Sequence, residues 1–379
     1  MAEQGTRSVL RGRLASLFHR PERRRFASLQ VEVTTDCFLR CPFCPIQALS
    51  GRWQKRYLPL ALFVRLAAAF TSVKHVHLQG WGEPLLHPDL PRMVELAKAA
   101  GCAVGTTSNG VLLRKGIVEG LLRAGLDLLV VSIAGARAET HDALRVGSRL
   151  ADITSNLEAL AALKRRLGST RPKVVLSFLM QGENPGELPA AIDLAAKVDA
   201  AELVATNLDC VVDETGETGR AFVVAGTASP WEEALAEARE RARRHGLVFR
   251  PYPLVEQDGV LVCEALAEEM PVVAADGGVF PCVYLSLPLD PMPRLQGRER
   301  LAVPRRPFGS LAEADLLAIW DGAEAKAFRE TFRRRTRAHA RLTLGAQLLG
   351  PGREVTMAEV DRLTPLPDVC RGCYKARGV

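Results

Sequence analysis

The chain has 379 residues, of which 47% are hydrophobic, 25% charged and 6% aromatic, and its formal net charge is +7. This composition predicts a globular protein with one large and one smaller domain, and it argues against a disordered chain. No uncharged apolar run is long enough to span a bilayer, and no aromatic residues interleave with the scattered basic ones, so we expect neither a membrane span nor a nucleic-acid partner.

Residues 1–27 form an arginine-rich segment, which we predict to be a surface lead-in to the first strand. The alternative is a transit peptide, against which Glu3 and Glu22 argue, and the segment lacks the apolar core of a secretory signal. Nine cysteines, an odd number with two tight clusters, favour reduced thiols that bind metal over a secreted disulfide framework. We therefore predict a cytoplasmic protein, in which Cys102 and Cys210 are buried bystanders.

From residue 28 to 250 the sequence alternates short β-branched runs with longer helical patterns, which is typical of the parallel units of an α/β protein. The strand candidates are SLQVEVTT, HVHLQG, AVGTTS, LLVVSI, KVVLSFL and ELVATNL. Such units close into a partial (β/α)6 TIM-like barrel or lie open as a doubly wound sheet, and we favour the partial barrel. In both arrangements the chemistry belongs at the carboxyl ends of the strands.

Three thiols follow the first strand directly, in the stretch TTDCFLRCPFC. Three thiolates in one loop can hold three corners of a four-iron cube and leave the fourth iron open for a small ligand. This accounts for the close spacing of Cys37, Cys41 and Cys44. A structural zinc is the alternative, but zinc needs a fourth ligand, and His19 and His75 are not suitably placed in the sequence.

The C-x3-C-x2-C spacing, with Phe43 before its last cysteine, resembles the radical S-adenosylmethionine (SAM) superfamily. The segment GWGEP, which contains Gly80, Gly82 and Glu83, is similar to the family's Gly-Gly-Glu element after the second strand, which meets the methionyl amino group of SAM. A carboxylate suits an ammonium ligand. TTSNG resembles the motif after the third strand, which implies that Asn109 lies near the cofactor.

VSIAGARAETHDALR is similar to the family's fourth-strand segment. The resemblance implies that Ser132 and Arg145 bind the SAM carboxylate, for which an arginine fork is a natural partner. Ala134 stands where the family usually has an aspartate, so we expect the local loop to differ. The resemblance as a whole implies a partial barrel of the radical SAM type, a [4Fe–4S] cluster at the three cysteines, and SAM as cofactor.

After residue 250 the alternation stops, and residues 251–379 are predicted to form a smaller α+β domain. Four cysteines in it could close a tetrahedral zinc site or hold all four irons of a cube. They are Cys263, Cys282, Cys370 and Cys373. Residues 340–367 show no clear period, and we predict that they form an inserted excursion.

This region resembles the SPASM and twitch extensions of radical SAM enzymes, through C-x13-G-x4-C and the later FGSLAEADLLAIW. Full SPASM domains carry more cysteines after the C-x2-C pair, so the pattern implies a twitch-like, cluster-binding domain with one auxiliary [4Fe–4S] cluster. Sulfatase-maturing relatives place an aspartate base directly after the cysteine that matches Cys282. Here Val283 and Tyr284 follow, which disfavours formylglycine formation by that mechanism.

The resemblance predicts an oxidoreductase-like enzyme that reductively cleaves SAM to a 5′-deoxyadenosyl radical and abstracts hydrogen from an unknown small-molecule or peptide substrate. We expect a net oxidation assisted by the auxiliary cluster, and a low-potential electron donor such as flavodoxin or ferredoxin. The loop from Asp209 to Ser229 is predicted to contact the substrate. Two alternatives are a maturase that modifies a peptide or protein, and a non-catalytic protein whose two cysteine sets bind structural metal.

Overall fold

The computed structural model describes residues 24–224, 226–227, 229–265, 268–348 and 355–379. Most of the predicted lead-in, residues 1–23, lies outside these ranges, and the first strand begins at Phe26, two residues earlier than expected. Among the described helices, none combines the length and apolar character that crossing a membrane requires.

Seven parallel strands lie side by side in the order in which they occur in the chain. They are β1 Phe26–Val31, β2 Val73–Leu78, β3 Ala103–Ser108, β4 Leu128–Ile133, β5 Lys173–Met180, β6 Glu202–Asn207 and β7 Val248–Pro251. A doubly wound sheet would reverse its strand order at a switch point, whereas a barrel wall keeps the order of the chain. The predicted partial barrel is confirmed, and β7 adds a seventh parallel strand to the six expected.

Helices connect these strands, as β/α units require. They are α1 Pro45–Ala48, α2 Leu60–Val64, α3 Ala67–Phe70, α4 Leu90–Ala99, α5 Lys115–Ala124, α6 Ala138–Leu144, α7 Leu150–Leu167, α8 Leu188–Lys197, α9 Glu214–Gly219 and α10 Glu232–His245.

Side chains alternate along the strands with a period of two, so that in β4 Leu129 and Val131 are buried in the core while Ser132 is only partly buried. The partly buried face of β1 to β3 carries polar side chains, among them Gln30, His77 and Thr107.

The C-terminal region extends the same sheet beyond β1. Its strands are β8 Val272–Val273, β9 Gly278–Phe280, β10 Met292–Gln296, β11 Glu299–Val303 and β12 Gly309–Ser310. β8 pairs with β1, β9 with β8 and β12 with β9, whereas β10 and β11 form a hairpin of their own. Phe26 of β1 packs edge-on against Trp320 at 5.8 Å between ring centroids, within one hydrophobic core. The sheet therefore continues across the domain boundary that the sequence predicts near residue 250.

Residues 340–367, predicted to form an inserted excursion without a clear period, are largely helical in the part that the structure describes. After α11 Leu316–Trp320 comes the long helix α12 Ala323–Leu348, against which α13 Met357–Leu363 packs. Two arginines, Arg329 and Arg335, lie on the buried side of α12. The fully buried Arg335 guanidinium pairs with a carboxylate of α13 at 2.6 Å, so its charge is compensated.

Candidate active site

The three-thiol loop lies at the carboxyl end of β1 and leads into α1. Helix α1 begins directly after Cys44, and the Cys44 amide donates to the Cys41 carbonyl at 3.0 Å. Burial, reinforced by the neighbouring thiols, raises the pKa of Cys37 to about 11 and that of Cys44 to about 12. Thiolates here therefore require a compensating positive charge, which a metal cluster supplies.

Gly82 lets the loop after β2 lie directly against the segment that leads into the thiol loop. A Cβ on Gly82 would lie 2.5 Å from the carbonyl oxygens of both Thr34 and Asp36, which real side chains do not tolerate. The next amide, of Glu83, donates to the Asp36 carbonyl at 2.8 Å. Gly80 is similarly constrained, because a Cβ there would overlap the side chain of Glu32. The glycines are thus needed for close approach of the backbone.

The Glu83 carboxylate is buried, with 2% of the residue exposed, and is held by three donors. Its Oε1 accepts from the Leu85 amide at 3.0 Å and the Ser108 hydroxyl at 2.8 Å, and its Oε2 accepts from the Asn109 amide at 2.7 Å. Burial raises the pKa of Glu83. A carboxylate offers about four acceptor positions, so one position on Oε2 remains for a further donor such as an ammonium.

Two buried nitrogens near this carboxylate have no hydrogen-bond partner within the described part of the chain: Asn109 Nδ2 and Arg145 Nε. Arg145 follows α6 and lies close enough to Cys37 and Cys41 for its charge to lower their pKa values against the effect of burial. Unpaired buried donors are costly unless a ligand satisfies them. Together with Glu83 they fit a ligand that carries both an ammonium and a carboxylate, as SAM does.

The remaining predicted SAM contacts lie on neighbouring elements. Ser132 is partly buried in β4, in register with Ser177 of β5, and Phe43 is partly buried in the thiol loop. At the position of the missing aspartate, the Ala134 amide donates to His141 Nδ1 at 3.3 Å. His141 therefore anchors the loop after β4, a role that sequence patterns did not indicate.

The four C-terminal cysteines converge from three separate segments. Cys263 follows β7, Cys282 follows β9, and the other two lie in the last ten residues of the chain. Burial raises the pKa of Cys282 to about 12, and the nearby Cys373 and Cys263 add to this increase. Burial also raises the pKa of Cys370, and Cys282, Cys373 and Cys263 all lie close enough to raise it further. Because every donor is a thiol, the set fits an iron–sulfur cluster, and it would also fit a tetrahedral zinc.

Within the described ranges, no three His, Cys, Asp or Glu side chains are grouped as a site for a single metal ion. Cys102 is buried, as predicted, and donates to the Phe70 carbonyl at 3.3 Å. Cys210 is only partly exposed and lies within electrostatic reach of both Cys373 and Cys44. The predicted bystander thus lies between the two cysteine sets.

A cavity of about 410 Å³ is lined by residues of both the Gly-Gly-Glu loop and the C-terminal region. Gly80 and Trp81 are among its lining residues from the loop, and Cys282 is among those from the C-terminal region. The Trp81 indole donates to the Val283 carbonyl at 3.3 Å between these two regions. Of the loop predicted to contact substrate, Asp209 lines the cavity, while part of the remainder forms α9.

The model for the radical SAM superfamily matches residues 31–195, and that for the SPASM iron-sulfur cluster-binding domain matches residues 263–341. A tungsten-containing aldehyde ferredoxin oxidoreductase cofactor-modifying protein from Pyrococcus furiosus is 25% identical over 308 residues, which are 79% of this chain and 82% of the relative. The GTP 3′,8-cyclase of Chlorobaculum tepidum is 31% identical over 175 residues, 45% of this chain and 50% of the cyclase, so the match spans half of that relative.

Among solved structures, SuiB of Streptococcus suis bound to S-adenosylmethionine superimposes with a TM-score of 0.58 at 16% identity, over 83% of this chain and 70% of SuiB. A structure of SuiB with its precursor peptide SuiA has a TM-score of 0.56 at 14% identity, over 84% of this chain and 70% of that one. At these identities the likeness concerns the fold. It is the fold predicted from the sequence, a partial barrel followed by a C-terminal domain.

Proposed function

Because this chain is a radical SAM protein with a C-terminal SPASM-type iron–sulfur domain, we propose that it uses SAM to oxidise a small substrate by hydrogen abstraction. When bound, the [4Fe–4S] cluster and SAM supply a 5′-deoxyadenosyl radical after one-electron reduction, and the auxiliary cluster supplies an electron acceptor. The protein supplies the thiol ligands, the orientation of SAM and a cavity for the substrate.

The residues divide this work between them. Cys37, Cys41 and Cys44 are proposed to hold the first cluster, with Phe43 beside it. Glu83 would take the SAM ammonium at the open position of Oε2, and Arg145 would take the carboxylate. Gly80, Gly82, Asn109 and Ser132 complete the proposed SAM site. The auxiliary cluster is assigned to Cys263, Cys282, Cys370 and Cys373.

One observation carries the proposal of a net oxidation. The same 410 Å³ cavity touches the proposed SAM element at Gly80 and the proposed auxiliary ligand Cys282. A substrate in it would lie between the place where a hydrogen atom is removed and the place where an electron can leave. This supports oxidation more directly than it supports an isomerisation or a redox-neutral cyclisation.

Modification of a peptide is the second candidate, because SuiB has been crystallised with a precursor peptide on a similar fold. The cavity volume favours a small molecule, or at most the side chains of one or two peptide residues. The relative from Pyrococcus furiosus, by its name, modifies a cofactor, which agrees with a small substrate.

The test is anaerobic reconstitution followed by reduction in the presence of SAM. We expect about eight irons per chain, four per cube, and formation of 5′-deoxyadenosine. The variant with Ala at positions 37, 41 and 44 should keep about four irons and should form no 5′-deoxyadenosine. Full iron content in this variant would refute the assignment of the first cluster to these three cysteines. About one zinc per chain in the parent would show that the C-terminal cysteines form a structural zinc site and not an auxiliary cluster.

A further inference from the structure

The wall of this 410 Å³ cavity contains a buried ion pair that the proposed function has not yet used. Lys375 Nζ lies 3.0 Å from Asp209 Oδ2, and the Tyr284 hydroxyl donates to the same oxygen at 3.0 Å. Lys375 is 5% exposed, and its ammonium also lies 4.2 Å from the centroid of the Tyr252 ring. All four side chains line the cavity.

Such a pair is difficult to explain by stability alone. The cost of removing two charges from water largely offsets their attraction, so an apolar pair of similar volume would stabilise a core at least as well. Asp209 and Lys375 are 166 positions apart (375 − 209) and come from the loop after β6 and from the C-terminal turn. Their meeting in a cavity wall therefore points to a role in what the cavity binds.

The charges that face the cavity are unequal. Glu264 lies 3.3 Å from Lys375 Nζ, so one ammonium faces two carboxylates, of Asp209 and Glu264. Apart from the proposed cluster ligand Cys282, the other polar side chains in the wall, Gln30 and Gln79 among them, are neutral. One negative charge is left over, and the site favours a ligand that carries a positive charge.

The proposed oxidation of an amine also releases a proton for which no acceptor has yet been named. Conversion of a protonated amine, whose carbon carries one hydrogen and the ammonium group, to an iminium ion with a carbon–nitrogen double bond removes three particles. They are a hydrogen atom from carbon, a proton from nitrogen and one electron. With SAM and the auxiliary iron–sulfur cluster bound, the 5′-carbon derived from SAM would take the hydrogen atom, and the cluster would take the electron. The proton requires a base within the cavity, and a carboxylate is a suitable one.

We propose that this cavity binds a small polar amine, and that Asp209 accepts the proton that leaves the amine nitrogen during oxidation. Lys375 and Tyr284 are positioning residues that hold the Asp209 carboxylate toward the cavity. The inference rests on the proposed oxidation, because it assigns its substrate class and its proton acceptor.

Glycerol and 2-amino-1,3-propanediol are suitable probes, since they differ only in a central hydroxyl or amino group. We would measure their binding calorimetrically to the cluster-loaded, unreduced enzyme with SAM present. The amine should bind about tenfold more tightly than glycerol, because a charge-assisted hydrogen bond is about twice as strong as a neutral one. Equal affinities, or no binding of the amine at millimolar concentration, would overturn the assignment of the substrate class.

Asp209→Asn should abolish the preference for the amine. Asp213→Asn is the matched control: Asp213 lies in the same loop but caps α9, where its side chain accepts from the Gly216 amide at 2.9 Å. Asparagine also caps helices well, so this control should keep the preference. If both variants lose it, the loop has been disturbed and Asp209 has no special role. Tyr284→Phe, which removes only a hydroxyl from the cavity wall, should reduce the preference several-fold while iron content stays unchanged.

Turnover separates this inference from the proposed function. With the amine deuterated at its central carbon, the reduced enzyme should form singly deuterated 5′-deoxyadenosine, and the iminium should hydrolyse to dihydroxyacetone and ammonia. At saturating amine, Asp209→Asn should form deoxyadenosine but little dihydroxyacetone. Unchanged dihydroxyacetone in Asp209→Asn, or deoxyadenosine without deuterium in the parent, would refute the inference. Absence of any deoxyadenosine, with amine binding intact, would refute the proposed function instead.

Discussion

Replacement of Glu83 by glutamine tests how the proposed SAM site holds the ligand. Glutamine has the shape of glutamate, but it has one acceptor oxygen and an amide group that only donates. With its oxygen at the Oε1 position, the side chain can still accept from Leu85 and Ser108. Its amide group would then face the Asn109 amide, which donates to Oε2 at 2.7 Å in the parent.

The expected loss follows from the position that remains open on Oε2. A hydrogen bond to a charged group contributes about 1.5–3 kcal/mol, and the glutamine amide can offer none to an ammonium. Because about 1.4 kcal/mol corresponds to a factor of ten, the dissociation constant for SAM should rise about ten- to a hundredfold. Stability should fall as well, since the buried Asn109 amide loses its acceptor.

Equilibrium dialysis of labelled SAM against the cluster-loaded, unreduced enzyme measures this change without requiring turnover. Ser108→Ala is the matched control, because it removes one donor to Oε1 and leaves the carboxylate and its open position intact. We expect this control to weaken SAM binding by less than about fivefold, because Ser108 contacts the carboxylate and has no proposed contact with SAM. Equal SAM affinity in the parent and Glu83→Gln would show that the ammonium binds elsewhere.

Three further outcomes can be measured on the same protein. Arg145→Ala should weaken SAM binding by about 1.5–3 kcal/mol, and unchanged affinity in dialysis would remove Arg145 from the site. Replacement of both Cys370 and Cys373 by Ala should halve the iron content but leave deoxyadenosine formation, provided that circular dichroism shows a folded variant; loss of all iron would contradict two independent sites. Burial raises the pKa of Glu32 from 4.5 to about 7, so the folded protein keeps this proton at pH values where the unfolded chain loses it. The resulting stabilisation of about 3 kcal/mol is fully present below pH 4.5 and is lost as the pH rises through 7. The melting temperature of Glu32→Gln relative to the parent should therefore rise between pH 5 and pH 8, and a constant difference would refute this.

The sequence alone determined those features that depend on neighbours in the chain. The spacing of Cys37, Cys41 and Cys44 within one loop indicates a cluster with an open iron, because three thiols so close along the chain must share one site. The alternation of β-branched and helical runs predicted six of the seven parallel strands, because the burial of strands and amphipathic helices leaves a periodic trace.

Features that depend on residues far apart in the chain were decided only by the tertiary structure. The burial of Arg335 in α12 is one of them, because its charge is compensated by a carboxylate on another helix and not by a sequence neighbour. No sequence pattern links Asp209 with Lys375, and only the folded loop after β6 and the C-terminal turn bring them to 3.0 Å in one cavity. Periodicity and motif spacing record local constraints, whereas a buried ion pair depends on which segments the folded sheet brings together.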